Sequence, residues 1–171
     1  MKRVIAVSDS HGMEQRLRNV LFAIQEKSPA DVVVFLGDGL REWETVSQEL
    51  RLAHPGIKLY GVKGNNDMTA FGPDLAEFKV NGVTFIACHG HRYGVKITLD
   101  RLEVEAVSRE AKVALYGHTH IADITNYFSC CFVNPGSISG WGSFAPVAAE
   151  VLVDEKQKVC ARIINADEIG L

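Results

Sequence analysis

Apolar residues along the chain follow two rhythms. Some form short unbroken runs that stop at Gly, Asp, Asn or His, and others recur every three or four positions. Arg3 to Ser8 predicts a first strand, ending at Asp9-Ser10-His11-Gly12. Leu17, Val20, Leu21 and Ile24 then recur at helical spacing, which predicts a helix over about Met13 to Lys27. Asp31 to Leu36 contains Val32-Val33-Val34-Phe35-Leu36, the continuous run of a strand covered on both faces, and stops at Gly37-Asp38-Gly39. A second helix is expected over about Glu42 to Ala53. A third strand near Ile57 to Val62 stops at Gly64-Asn65-Asn66-Asp67. This β-α-β-α-β order predicts a parallel sheet, in which ligands gather at the carboxyl ends of the strands.

The rhythm then changes. Glu77 to Val80 and Val83 to Cys88 flank Asn81-Gly82, a pair suited to a type I′ hairpin turn, and the second strand ends at His89-Gly90-His91. Thr98 to Lys112 reads as a helix. Val113 to Tyr116 is a short strand that stops at Gly117-His118-Thr119-His120. Asp123 to Tyr127, Cys130 to Val133, Ala148 to Val153 and Val159 to Ile164 read as further strands, with 155–158 turning the last hairpin. The absence of repeats and linkers predicts one domain over 1–171.

Composition narrows the function classes. Net charge is −3 and the pI about 6.1, so no basic face predicts general nucleic-acid binding. No segment approaches the ~20 apolar residues of a membrane span. The apolar run after Met1-Lys2-Arg3 is too short for a secretory signal, so a strand in a cytoplasmic protein is expected. Cys88, Cys130, Cys131 and Cys160 form no C-x-x-C pair and are read as reduced thiols buried in apolar strands, with Cys130 and Cys131 on opposite faces. Trp43 and Trp141-Gly142-Ser143-Phe144 are read as packing residues rather than an interface, and His54 as an exposed loop residue.

The candidate chemistry lies where the strands stop. Five of the six histidines, His11, His89, His91, His118 and His120, follow predicted strand ends, as do Asp9, Asp38 and Asn65. A lone His usually packs or faces solvent, and a lone Gly-Asp is a common turn. The joint pattern points to metal, because imidazole and carboxylate suit Mn, Fe, Ni, Zn or Co. Asp9-x-His11 and His118-x-His120 each place two donors on one side of an extended segment. Asp38 has two oxygens with which to bridge two ions, and Asn65 offers a neutral oxygen that does not repel an anionic substrate.

The ordered set Asp9-x-His11, Gly37-Asp38, Gly64-Asn65-Asn66-Asp67, His89 and Gly117-His118-x-His120 resembles the signature of the calcineurin-like metallophosphoesterase superfamily, and in particular its small bacterial and archaeal phosphodiesterase branch. Asn134-Pro135-Gly136-Ser137 also resembles a segment of that branch. The resemblance implies an α/β fold: a four-layer α/β/β/α sandwich of two mixed sheets flanked by helices. It implies one divalent ion held by Asp9, His11, Asp38 and His120 and a second held by Asp38, Asn65, His89 and His118. Mn is the favoured metal, with Ni, Fe, Zn, Co or Mg as alternatives. The implied reaction is hydrolysis of a small phosphoester, favoured as a diester over a monoester, by a metal-activated water. The sequence departs from the superfamily at Asn66, where many members carry a His proposed as the acid for the leaving group. An amide has no such proton to give. Asn66 is expected to donate a hydrogen bond to a phosphoryl oxygen, Asp67 to orient a neighbour, and His91 to contact substrate.

Two rivals follow. A protein-interaction scaffold on the same fold, like the retromer subunit, would tend to show an eroded ligand set, whereas every ligand position is filled. A dinuclear amide or lactone hydrolase would be expected to carry H-x-H-x-D-H or a bridging Lys, and neither is present.

Overall fold

The computed structural model describes residues 1–140, 142 and 145–171. Trp141, Ser143 and Phe144 lie outside the described residues. Among the described residues, ten strands and three α-helices follow in the order β1 (Lys2–Val7), α1 (Glu14–Lys27), β2 (Val32–Phe35), α2 (Leu40–Ala53), β3 (Lys58–Gly61), β4 (Leu75–Val80), β5 (Val83–Cys88), α3 (Asp100–Ser108), β6 (Val113–Tyr116), β7 (Asp123–Tyr127), β8 (Cys130–Asn134), β9 (Pro146–Val153) and β10 (Val159–Asn165). None of the helices among the described residues is long and apolar enough to cross a membrane.

The strands form two five-stranded mixed sheets, in the orders β10-β9-β1-β2-β3 and β4-β5-β6-β8-β7. In the first, β1, β2 and β3 are parallel, with Val4 opposite Val32 and Val32 opposite Lys58. In the second, β5, β6 and β8 are parallel. The antiparallel strands lie at the margins. The strand-end clusters therefore come from the carboxyl edges of two stacked sheets, not from one sheet.

Three apolar cores explain the unbroken runs, because successive strand residues point to opposite faces. Val4, Ala6, Val32 and Val34 face the second sheet and meet Phe85, Leu115 and Val133. Ile5, Val7, Val33 and Phe35 face the other way, onto Leu17, Leu21, Ile24, Val46 and Leu50 of α1 and α2. On the far side, Ile86, Ala114 and Phe132 pack under Leu102 and Ala106 of α3. The result is helix, sheet, sheet, helix. Cys130 and Cys131 do face opposite cores. Trp43 is buried and stacks on Phe35 with ring centroids 5.6 Å apart, so it serves packing.

Four expectations need correction. Cys160 is exposed, because it lies on the outward face of the edge strand β10, while the other three thiols are buried. His54 is half-buried at the end of α2, its ring 6.2 Å from that of Phe22. Helix α2 starts two residues earlier than its apolar spacing suggested, because the Asp67 carboxylate accepts the N–H groups of Gly39 and Leu40 from a distant loop. Helix α3 ends four residues early. Ala111 N–H bonds to Ala106 C=O and Glu110 N–H to Val107 C=O, with Glu110 at φ +54°. This is a Schellman cap, a motif that usually announces itself with glycine. The Asn81-Gly82 turn has both residues at positive φ, as type I′ requires.

Phe85 is fully buried between the sheets and stacks on Phe78 at 5.3 Å. Phe85→Ala should lower unfolding stability by about 3–5 kcal/mol, and urea denaturation reads this directly.

Candidate metal centre

The first sheet delivers Asp9 and His11 after β1, Asp38 after β2 and Asn65 after β3. The second delivers His89 and His91 after β5, and His118 and His120 after β6. All seven sequence-predicted donors meet in one cleft, in two groups that share Asp38.

In the first group, His11 Nε2 and His120 Nε2 are 3.1 Å apart. Asp9 Oδ1 is 3.5 Å from the former and 3.1 Å from the latter, and Asp38 Oδ2 is 3.8 Å from His11 Nε2. In the second group, His89 Nε2 lies 3.1 Å from Asn65 Oδ1, 3.1 Å from His118 Nδ1 and 3.5 Å from Asp38 Oδ2. Donors about 2.0–2.2 Å from one shared cation stand about 3–3.5 Å from each other, so both groups have the spacing of a ligand set.

Proton positions strengthen the fit. His89 Nδ1 is 2.7 Å from the carbonyl of Leu36, which can only accept, so Nδ1 carries a proton, and in the neutral ring it is Nε2 whose lone pair faces the cleft. Asn65 Oδ1 and the Asp38 carboxylate are also acceptors there. Asp9 Oδ2 takes hydrogen bonds from Ser8 Oγ at 2.5 Å and the His118 N–H at 3.1 Å, yet Oδ1 is buried with no hydrogen-bond partner. Such an orphaned carboxylate oxygen is costly unless a cation or a proton satisfies it. Triads that could hold an ion are Asp9, His11 and His120, and Asp9, Asp38 and His89.

The titration behaviour agrees. Burial opposes ionisation of Asp38, but the His89 imidazole and the two Asn66 N–H donors outweigh it and hold its carboxyl well below the usual range. Burial also disfavours charge on His89, yet Asp38 and Asp9 overcome this and raise its pKa. His118 is pushed down to about 4 by burial and by the charges of His89 and Lys96, so it is a neutral donor at pH 7.

Local backbone geometry sets this chemistry apart. Among the described residues nine non-glycine positions have positive φ, and five of them are Asp9, His11, Asp38, His118 and His120. Such conformations persist only where surroundings fix them, and they concentrate at functional sites.

The remaining predicted site residues fall in different places. Asp67 borders the recess beside the first group, but its carboxylate is taken up by the backbone. It is buried, and its carboxylate accepts the N–H groups of Asp38 (2.8 Å), Gly39 (3.0 Å), Leu40 (2.9 Å) and Gly64 (2.8 Å), tying the β2–α2 loop to the β3–β4 loop. Asn66 donates its backbone N–H to Asp38 Oδ1 at 2.8 Å and its side-chain amide to Asp38 Oδ2 at 2.6 Å. His91 stands behind the second group, its ring centroid 5.4 Å from that of His89 and 6.1 Å from that of His118. Its Nδ1 is buried and unpartnered. A recess of about 330 Å³ lined by His11, Asp38, Asn66, Arg41, Thr69 and Ala70 opens on the first group.

Other residues hold the site without belonging to it. Asn134 Nδ2 donates to Gly117 C=O and Thr119 Oγ1, both at 3.0 Å, and Ser137 Oγ donates to Asp9 C=O at 2.9 Å. The Asn-Pro-Gly-Ser segment after β8 thus fastens the His118–His120 loop and the Asp9 loop together. The sequence marked this segment only by its resemblance to one in the small phosphodiesterase branch, and gave no sign of what it fastens.

A sandwich of two mixed sheets whose loops bring His, Asp and Asn side chains together in this way defines an α/β protein with a candidate metal-binding cleft. The chain matches the model of the calcineurin-like phosphoesterase superfamily domain over residues 1–158, and it belongs to that family. It is 32% identical over 136 residues to the probable metallophosphoesterase YsnB of Bacillus subtilis, covering 79% of this chain and 74% of that protein. Among solved structures it resembles a conserved protein of Streptococcus pneumoniae described as a predicted phosphoesterase (28% identity, TM-score 0.74, 97% of this chain and 90% of that one). An archaeal phosphodiesterase (20%, 0.70, 95% and 99%) and zinc-complexed Vps29 of Entamoeba histolytica (17%, 0.68, 96% and 99%) share the fold.

Asp67→Ala would strand four buried N–H groups, each at about 1–3 kcal/mol, and should destabilise the metal-free chain by several times that of an ordinary surface change. Asp67→Asn, which keeps one acceptor oxygen, should be milder. Chemical denaturation compares them, and a loss under ~1 kcal/mol for the alanine variant would deny Asp67 this organising role.

Proposed function

We propose that this chain is a dinuclear metal-dependent phosphodiesterase, a single metallophosphoesterase domain over 1–171. One ion would be held by Asp9, His11, Asp38 and His120, and the other by Asp38, Asn65, His89 and His118. The observation that carries this reading is the convergence of acceptor atoms, with the orphaned Asp9 Oδ1 and the outward lone pair of His89 at its centre. Mn is the ion proposed. Four unpaired cysteines, three of them buried, suit a reducing cytoplasm.

When bound, the ions would supply Lewis-acid polarisation of phosphoryl oxygens and a water-derived nucleophile of lowered pKa. The chain's own residues do the rest. Asp38, ionised and placed between the groups, is the shared ligand. Asn65 contributes an oxygen without a charge, so the site keeps its attraction for a phosphate anion. Asn66, whose backbone N–H and one side-chain N–H are taken by Asp38, offers its remaining amide N–H to a phosphoryl oxygen and no acid, which favours substrates whose alcohol leaves readily, such as aryl diesters. Asp67 acts on the substrate only by positioning Asp38. His91, beside both His89 and His118, would contact the substrate through its ring. The full donor set argues against a scaffold with no turnover, and the open recess beside Asn66 suits a diester over a monoester.

Asp38→Ala should remove bound metal and lower Mn-dependent hydrolysis of an aryl phosphodiester beyond the roughly 10–100-fold typical of residues outside the ligand set. Elemental analysis and turnover, measured together, check this, and full metal-dependent turnover in the variant would overturn the assignment. The pH behaviour has a definite sign. His89, its pKa raised in the metal-free chain, keeps its proton to higher pH than an ordinary histidine, and an ion must displace that proton. Metal affinity should therefore fall on going from about pH 8 to about pH 6, with proton release on binding. His118, at about 4, adds nothing in that window. Calorimetric titration in two buffers of different ionisation enthalpy measures both effects.

A further inference from the structure

Glu42 lies in the first turn of α2 and belongs to neither donor group. Its Oε1 accepts the backbone N–H of Gly12 at 2.5 Å and the hydroxyl of Ser10 at 3.3 Å, the two residues on either side of His11. That turn needs fastening. Asp9 is at φ +57°, His11 at +44° and Gly12 at +85°. Non-glycine residues in this region cost on the order of 1 kcal/mol or more each and hold only where their surroundings fix them. Asp9 N–H is tied to Gly37 C=O, His11 N–H to Asp38 C=O and Met13 N–H to Ser10 C=O. Among the described residues the Gly12 N–H reaches no backbone carbonyl, and Glu42 is its partner.

The two loops are built around this contact. A Cβ on Gly39, itself at φ +143°, would fall 1.8 Å from Ser10 Oγ and 3.1 Å from Glu42 Oε1, so only glycine lets them meet. Glu42 makes no hydrogen bond to the loops that carry the second donor group. His89 is fully buried and anchored by Leu36 C=O, and His118 by its N–H to Asp9.

We propose that Glu42 is a positioning residue for one ion only: as a hydrogen-bond acceptor on Gly12 and Ser10, it holds His11 in place for the ion shared with Asp9, Asp38 and His120. This rests on the dinuclear reading above. It makes the two ion positions unequal in what supports them, with one lying on a turn clamped by a side chain and the other on buried strand ends.

The test is Mn²⁺ titration of the full chain by calorimetry, with thermal unfolding of each metal-free variant alongside. Glu42→Ala should weaken one of two ions by about 10–100-fold and leave the other essentially unchanged. Two near-isosteric variants then separate reach from charge. Glu42→Gln keeps an acceptor oxygen at the same reach without the charge and should restore near-native binding of both ions. Glu42→Asp keeps the charge but is one methylene too short and should behave like the alanine variant; this pair decides the matter even if Glu42→Ala folds poorly. Unchanged binding of both ions in the alanine and aspartate variants, equal loss of both ions, or a glutamine variant as weak as alanine would each overturn the inference while leaving the metal centre standing. A wild-type chain that takes up no Mn²⁺ would overturn the metal centre itself, and this inference with it.

Discussion

Four backbone N–H groups, from Asp38, Gly39, Leu40 and Gly64, point at the single buried carboxylate of Asp67. A carboxylate is tolerated in such a place because each of its oxygens accepts two N–H groups, and the helix that begins at Leu40 adds its positive end. The consequence is structural first. The loops after β2 and β3 are pulled so close that a Cβ on Gly37 would fall 2.5 Å from Gly64 N, and one on Gly64 would fall 2.0 Å from Asp38 Oδ1. Asp38, the proposed bridge, is where it is because of this clamp, and Asn65 and Asn66 lie on the strand of chain that the clamp draws in.

Beyond the apolar core between the sheets, the loops of the second sheet are joined to this arrangement by polar stitching. Ser8 and the His118 N–H share Asp9 Oδ2, Ser137 holds the Asp9 carbonyl, and Asn134 holds the loop that carries His118 and His120. Gly117 must be glycine, since a Cβ there would meet Ser8 Oγ at 2.0 Å. These bonds satisfy almost every polar atom around the cleft except those that face its middle. What is left over is a set of acceptors aimed at one another, among them the unpartnered Asp9 Oδ1, which a cation between them would satisfy. That pattern ties the fold to its proposed chemistry.

Much of this was legible in the chain. Strands buried on both faces must be apolar throughout, so β1, β2, β5 and β6 announced themselves as runs. Helices that cover one face must be apolar every three or four residues, so α1 and α2 did too. The donors were visible because a strand that ends in His-Gly-His or Gly-His-Thr-His interrupts an apolar run with residues that have no packing reason to be there. The errors have two sources. The start of α2 depends on a carboxylate 27 residues away and the exposure of Cys160 on which strand forms the edge, and neither is a local property. The end of α3 is local, but its cap is made by Glu110 in place of the usual glycine.

Taken alone, the sequence determined the elements, the layers they would need to bury their apolar faces, and the seven donors, because side-chain chemistry and periodicity are written residue by residue. The tertiary structure decided how those donors divide into two groups around Asp38, that Asp67 serves the backbone rather than the substrate, and that Glu42, Asn134 and Ser137 hold the loops in strained conformations. Those decisions depend on distances of about 3 Å between atoms far apart in the chain, and only the packing of one sheet on the other sets them.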